Sequence, residues 1–311
     1  MPRLPVALLV CALAATGCGK SETHPEASWS ELAPASAAPV PLPDLRPLEE
    51  AIARGQQRLA QAPGLIALMN PMGGQTDIPE AARRTASLME ACRADQLILA
   101  RISDQLNDLY PDLEHTAPDV VLWQTRAAAY RFREFALLEL LRATDRTAKD
   151  LIARNATSPA ELLLAAAALD GIKYPHEGAI LLRRYLAFAT EAMRRAAQPS
   201  SHLVELPSLL GDTRMMALAW GPTQWSASDA AELRRLVDTY RAQVNALPGP
   251  AGAAIGRLVN RWWEWGLLQT GQPLDHERVT ATAADLRTMA ANLPDAAIGL
   301  TAFAVQIESS N

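Results

Sequence analysis

The chain has 311 residues, with 29 basic and 34 acidic side chains and a formal charge of −5. Mild acidity gives it no general attraction for nucleic acid or anionic lipid, so no nucleic-acid partner is expected. At the N-terminus a single early basic residue, Arg3, precedes an apolar run from Leu4 to Ala15. That run is too short to span a bilayer, which takes about 20 apolar residues, and it reads as an export signal over residues 1–17.

The segment Ala15-Thr16-Gly17-Cys18 follows the apolar run directly. It resembles the lipobox of bacterial lipoproteins, in which the cysteine is diacylated on sulfur, the signal is cleaved before it and the new amino end is acylated. The resemblance implies Cys18 as the lipidation residue and a membrane-anchored protein without a spanning helix. Several acyl chains together hold firmly, since each buried methylene contributes about 0.8 kcal/mol. Gly19 after the cysteine, in place of an inner-membrane-retaining Asp, implies the outer membrane, with the body in the periplasm. Losing Arg3 with residues 1–17 would leave 28 basic side chains against 34 acidic ones, and Cys92 as the last unmodified cysteine. An intramolecular disulfide is then ruled out, and stability must come from core packing. Cys92, in the apolar pattern Leu88-Met89-Cys92, reads as a buried small hydrophobe.

Residues 18–46 form the lipidated terminus and a linker. Pro25, Pro34, Pro39, Pro41 and Pro43 punctuate Ala, Ser and Glu there, which favours an extended, weakly structured tether. At about 3 Å per residue it would lift the body by up to about 80 Å when fully drawn out.

From residue 47 to 311 the chain is rich in Ala, Leu and Arg and poor in β-branched runs, which predicts a single all-helical domain. The expected fold class is all-α, an irregular multi-helical array or bundle with long antiparallel helices. In chain order the expected helices run over about 47–61, 77–110 and 116–146, the last two as an antiparallel hairpin. They continue over 162–170, 175–198, a short piece at 212–220, then 229–247, 251–269, 275–293 and 295–308. Asp77-Ile78-Pro79-Glu80 and Ser158-Pro159-Ala160-Glu161 carry helix-start spacing. A soft boundary is placed near 199–227, where Pro207, Gly211, Gly221 and Pro222 gather.

Three groups of residues are candidates for function. On the 116–146 helix, Trp123, Arg126, Tyr130 and Glu134 fall on one side, with Arg126 and Glu134 each one turn from Tyr130. They suit a buried Arg-carboxylate network or a polar ligand pocket. Asp170, His176 and Glu177 meet around a turn, where His176 would serve as a proton acceptor oriented by a carboxylate. Trp262, Trp263 and Trp265 cannot all face one way on a helix, so one side can fill the core while another meets a groove or partner. Gly252 and Gly256 nearby allow a neighbouring helix to approach closely.

His202-Leu203-Val204-Glu205 resembles part of the Gly-x-His-x-x-Glu motif of the imelysin-type periplasmic helical proteins. Ser200 replaces the glycine, four residues are matched, and no property of that family is carried over. The sequence has no His-Glu-x-x-His, no Gly-x-Ser-x-Gly, no phosphate loop ending in Gly-Lys-Ser/Thr and no cysteine pair for redox work. Neither a metal nor a cofactor is expected. The leading expectation is a non-catalytic envelope protein that binds a protein partner or supports an assembly. The alternatives are a small polar or glycan ligand, which needs a solvent-open concavity containing Arg126 or the Trp262 cluster, and a hydrolase built on 170–177.

Overall fold

The computed structural model describes residues 41–69, 76–169, 172–198, 204–220, 224–268 and 275–309. The expected signal segment, Cys18, most of the expected tether, Asp170 and His202 lie outside these ranges. The described residues form ten α-helices: α1 (Arg46–Met69), α2 (Ile78–Leu109), α3 (Pro118–Ala153), α4 (Pro159–Ala168), α5 (His176–Ala196), α6 (Leu206–Trp220), α7 (Ala227–Asn245), α8 (Gly249–Leu268), α9 (His276–Asn292) and α10 (Ala297–Ser309). The architecture is all-α, with no strand among the described residues. One isolated bridge, Lys173 with Gln224, ties the lead-in of α5 to that of α7. No helix among the described residues is long and apolar enough to cross a membrane.

The start signals act as expected. Asp77 Oδ1 accepts the Glu80 N–H at 2.9 Å, and Ser158 Oγ accepts the Glu161 N–H at 3.2 Å, each satisfying a donor that a helix start leaves open. Three helix limits differ from expectation. α1 runs through Pro63 to Met69 instead of ending near Gln61, because Leu59, Ala62, Leu65 and Met69 bury one continuous face. α3 continues past Arg146 to Ala153 and stops at Asn155, which adopts a left-handed φ of 50°. There the Ala156 N–H reaches back to the Leu151 carbonyl at 3.0 Å and closes the last turn. α6 begins at Leu206, well before Asp212, and carries Pro207 in its first turn, where proline's missing N–H is no loss.

α2 and α3 pair along their length as the expected antiparallel hairpin, and α3 is the axis of the body. Between Ala127 and Leu141 only Arg131 is not buried, so α3 is covered on all sides. Its residues enter all three apolar clusters: Phe132 and Phe135 with α5 to α10, Leu137 and Leu141 with α1, α2 and α4, Ala127 and Tyr130 with α1 and α2. Arg195 near the end of α5 locks the α2–α3 connection by donating to the carbonyls of Leu113 at 2.6 Å and Thr116 at 2.5 Å.

Aromatic rings run through the larger cluster in sequence. Tyr174 meets Phe132 and Phe135 edge-on at 6.0 Å, Trp225 lies 5.0 Å from Tyr174, Trp220 lies 5.8 Å from Trp225, and Trp263 lies 6.1 Å from Trp220. These tilted and edge-on contacts suit the ring quadrupole and bury large apolar areas. α7 and α8 close into a tight pair at Gly252, where a Cβ would stand 2.6 Å from the Leu247 carbonyl.

Candidate functional site

The residues singled out on α3 join a buried charge network, but with partners from other helices. Glu134 does not pair with Arg126. Its Oε2 accepts from Arg58 of α1 at 2.9 Å, and the same guanidinium reaches Asp95 of α2 at 2.6 Å. Arg54 adds a second bond to Asp95 at 2.7 Å. Burial works to raise the Asp95 carboxyl, yet the hydrogen bonds from Arg54 and Arg58 outweigh it and hold the group below its usual range. Glu134 is held above its usual range by burial, which the Arg58 charge only partly opposes. The close approach needs Gly55 on α1, where a Cβ would collide with Glu134 Oε1. Cys92 is fully buried beside this network, and burial together with the Glu134 charge pushes its thiol pKa far up, which leaves it inert.

Tyr130 takes a hydrogen bond on its hydroxyl from Gln56 at 2.9 Å, and its ring lies 4.5 Å from the Arg133 guanidinium. Arg133 turns to Asp212 of α6 at 3.2 Å. Burial raises the Asp212 carboxyl to about 6 against the pull of Arg133 and Arg126. Arg126 itself stacks over the Trp123 ring at 4.7 Å. These groups hold α1, α2, α3 and α6 together. The cavities described below are not lined by them.

Around 170–177 the described residues separate. His176 opens α5 with its side chain 67% exposed, and its Nδ1 lies 2.6 Å from Asp229 Oδ1 on α7. Asp229 also accepts from Ser226 Oγ at 2.6 Å, and that bond, with the one to His176, keeps its carboxyl below the usual range. The expected orienting partners are not used: Glu177 is exposed and Asp170 lies outside the described residues. A cleft of about 540 Å³ does run past Lys173, Tyr174 and Pro175 to Arg142 and Arg146 of α3, but neither His176 nor Glu177 lines it. Val204 and Glu205 of the His-x-x-Glu segment form a turn before α6. Among the described residues no three His, Cys, Asp or Glu side chains converge as a metal site.

The tryptophans require a correction. Trp262, Trp263 and Trp265 are all buried, at 4%, 0% and 4% exposure, so none offers an outward face to a protein partner. α8 is covered on both sides, because α7, α9 and α6 all pack on it, and Trp263 ends the aromatic series from α3. Trp262 and Trp265 instead wall a small cavity together with Arg214 of α6, Arg261 of α8, Arg278, Val279 and Thr282 of α9 and Ile307 of α10. Helical spacing assembles it: Arg261 and Trp265 are one turn apart, as are Arg278 and Thr282. The free volume is about 10 Å³, room for the centre of about one water.

No known family, curated protein or solved structure matches the chain. Its chemistry therefore rests on the cavity's own groups. Arg261 donates to Thr282 Oγ1 at 3.2 Å and to Asp285 Oδ2 at 2.9 Å, and Arg257 takes the other Asp285 oxygen at 2.7 Å. Arg214 is different: it is 6% exposed, and no described residue gives it a hydrogen bond or ion pair. Burial alone, with no acid nearby to oppose it, draws its pKa down to about 10. At neutral pH it is still a cation, held among indole rings. Arg278, half-buried, likewise has no described partner. Its wall carries three guanidiniums and the Thr282 hydroxyl, which accepts from Arg261.

Arg214, Arg278, Thr282 and Asp285 were not singled out from sequence, although one signal was present. Asp212-Thr213-Arg214 interrupts the apolar stretch from Leu209 to Trp220, and a charge inside a helix buried on every side must either pair or face a cavity. Asp212 pairs, and Arg214 faces the cavity.

Proposed function

We propose that this is a lipid-anchored cell-envelope protein whose helical body is a non-catalytic binding module for a small polar ligand. The anchor rests on Ala15-Thr16-Gly17-Cys18 behind its apolar run, with the outer membrane indicated by Gly19. The binding half rests on one observation: Trp262 and Trp265 share a cavity with three guanidinium groups, two of which, Arg214 and Arg278, have no partner among the described residues.

Mass analysis of protein extracted from membranes tests the anchor: residues 1–17 should be absent and lipid present on Cys18, and a full-length unlipidated chain refutes it. For binding, intrinsic tryptophan fluorescence of the full chain is titrated with hexanoate, inorganic phosphate, glucose and choline. At least one should give a saturable change, and four flat titrations refute the binding module.

A second reading, docking of an envelope protein partner, has support from α4. Ala160, Leu163, Leu164, Ala167 and Ala168 follow helical spacing on one exposed face, with Leu164 72% exposed. Crosslinking in intact cells through a photoreactive residue at 164 should capture one protein reproducibly, and no discrete product counts against it.

A further inference from the structure

The electrostatics and shape of the Arg214 cavity restrict its ligand more narrowly than polarity does. Three of its lining side chains are guanidiniums, and none is a carboxylate. Asp285, 5% exposed, stands behind Arg261 and is already divided between Arg257 and Arg261 through both oxygens. One acid thus serves two arginines, and Arg214 and Arg278 are left without any described counter-charge. A buried cation without an anion loses its hydration and gains nothing in return, so the arrangement is completed by an anion brought from outside.

The rest of the wall is apolar: the indoles of Trp262 and Trp265 with Val279 and Ile307. A strongly hydrated tetrahedral oxyanion would have to lose its water against these surfaces, and the free volume of about 10 Å³ admits little more than one oxygen atom's worth of ligand as the cavity stands. A planar carboxylate loses less hydration against these surfaces than a tetrahedral oxyanion does. It presents one edge to a guanidinium fork and leaves the remainder of the ligand against indole and aliphatic carbon. Arg278 is half-buried, and the body of the ligand enters only as the cavity widens beyond its present volume.

We infer that the cavity binds an organic monocarboxylate with an apolar body, its carboxylate on Arg214 and Arg278 and its carbon chain or ring between Trp262, Trp265, Val279 and Ile307. This rests on the binding-module reading and specifies its ligand class.

The test is a titration of the full chain in detergent, read by tryptophan fluorescence and repeated by calorimetry, with hexanoate, benzoate, benzamide and inorganic phosphate. Hexanoate and benzoate should bind, benzamide should bind at least tenfold more weakly than benzoate because it lacks only the charge, and phosphate should not compete. Arg214→Met should weaken benzoate at least tenfold, Arg214→Lys by less, and Arg154→Met, at the far end of α3, not at all. If Arg214→Met does not fold, Arg278→Met carries the same comparison. Equal binding of benzamide and benzoate, stronger binding of phosphate than of either carboxylate, or full benzoate affinity after loss of the guanidinium overturns the proposal. Arg214-dependent binding of phosphate alone overturns the carboxylate assignment and leaves the binding module standing. No binding by any probe overturns both.

Discussion

Arg58 and Arg214 are buried to the same degree, at 5% and 6% exposure, yet their electrostatic surroundings are opposite. Arg58 lies between two carboxylates, Asp95 and Glu134, on two other helices. Burial works to lower its pKa, and the Glu134 charge and Asp95 hydrogen bond more than reverse this. For Arg214 the only influence is burial. Equal burial therefore means different things: in the first case the charge is an internal strut, and in the second it is an open valence.

The largest expected effect lies on the paired side. Arg58→Met leaves Glu134 without an ion-pair partner and Asp95 with Arg54 alone, and loss of one partner from a buried pair costs roughly 3–5 kcal/mol. Urea unfolding should show that loss as a lower midpoint. A shift below about 1 kcal/mol would mean the strut is not assembled in solution.

Asp212 lies between the two cases, since it has a partner that burial nonetheless overrides. Its carboxyl rises from 3.8 to about 6 in the folded state, so the folded protein holds a proton that the unfolded chain has released. Stability from this group is fully present below about pH 4 and is lost as pH climbs through 6, a fall of about 3 kcal/mol. Asp212→Asn should remove that downward step, which denaturation curves between pH 4 and pH 7 would detect. A step that persists unchanged must belong to another group.

Arg214→Met should move stability the other way, upward by about 1–3 kcal/mol, because it replaces an uncompensated buried cation with an apolar side chain of similar length. Together with the expected loss of benzoate binding, that gain would mark a site kept for function against stability. A thermal midpoint lower than that of the parent would put Arg214 with Arg58 and end the contrast.

Periodicity and capping made the fold legible, and the same local signals explain where it was not. Asp77 and Ser158 act at the residues where helix starts were read, because a cap is a short-range bond. The end of α1 was misplaced near Gln61, since propensity knows nothing of the face that Leu65 and Met69 bury. Trp262 and Trp263 were expected to point apart, and they do line different places, the cavity and the aromatic series. What spacing on one helix cannot reveal is that α6 and α9 cover both. The pairing of Glu134 with Arg58, 76 residues away, has no local trace at all.

The smallest effect is expected where sequence alone pointed to chemistry. His176→Ala removes a side-chain contact whose histidine is 67% exposed, and exposed pairs of this kind contribute about 0–1 kcal/mol. Asp229 Oδ2 keeps its bond from Ser226 Oγ, and the Ser226 cap keeps the Asp229 N–H, so Asp229 Oδ1 alone loses its partner when the imidazole goes. Ser226→Ala breaks both of those bonds at the first turn of α7 and should cost about 1 kcal/mol, more than loss of the histidine. If thermal denaturation instead ranks His176→Ala above Ser226→Ala, the His176–Asp229 contact holds more than a helix junction. The 170–177 segment would then regain its claim as a site, because an exposed pair that strong must be shielded from water by something bound over it.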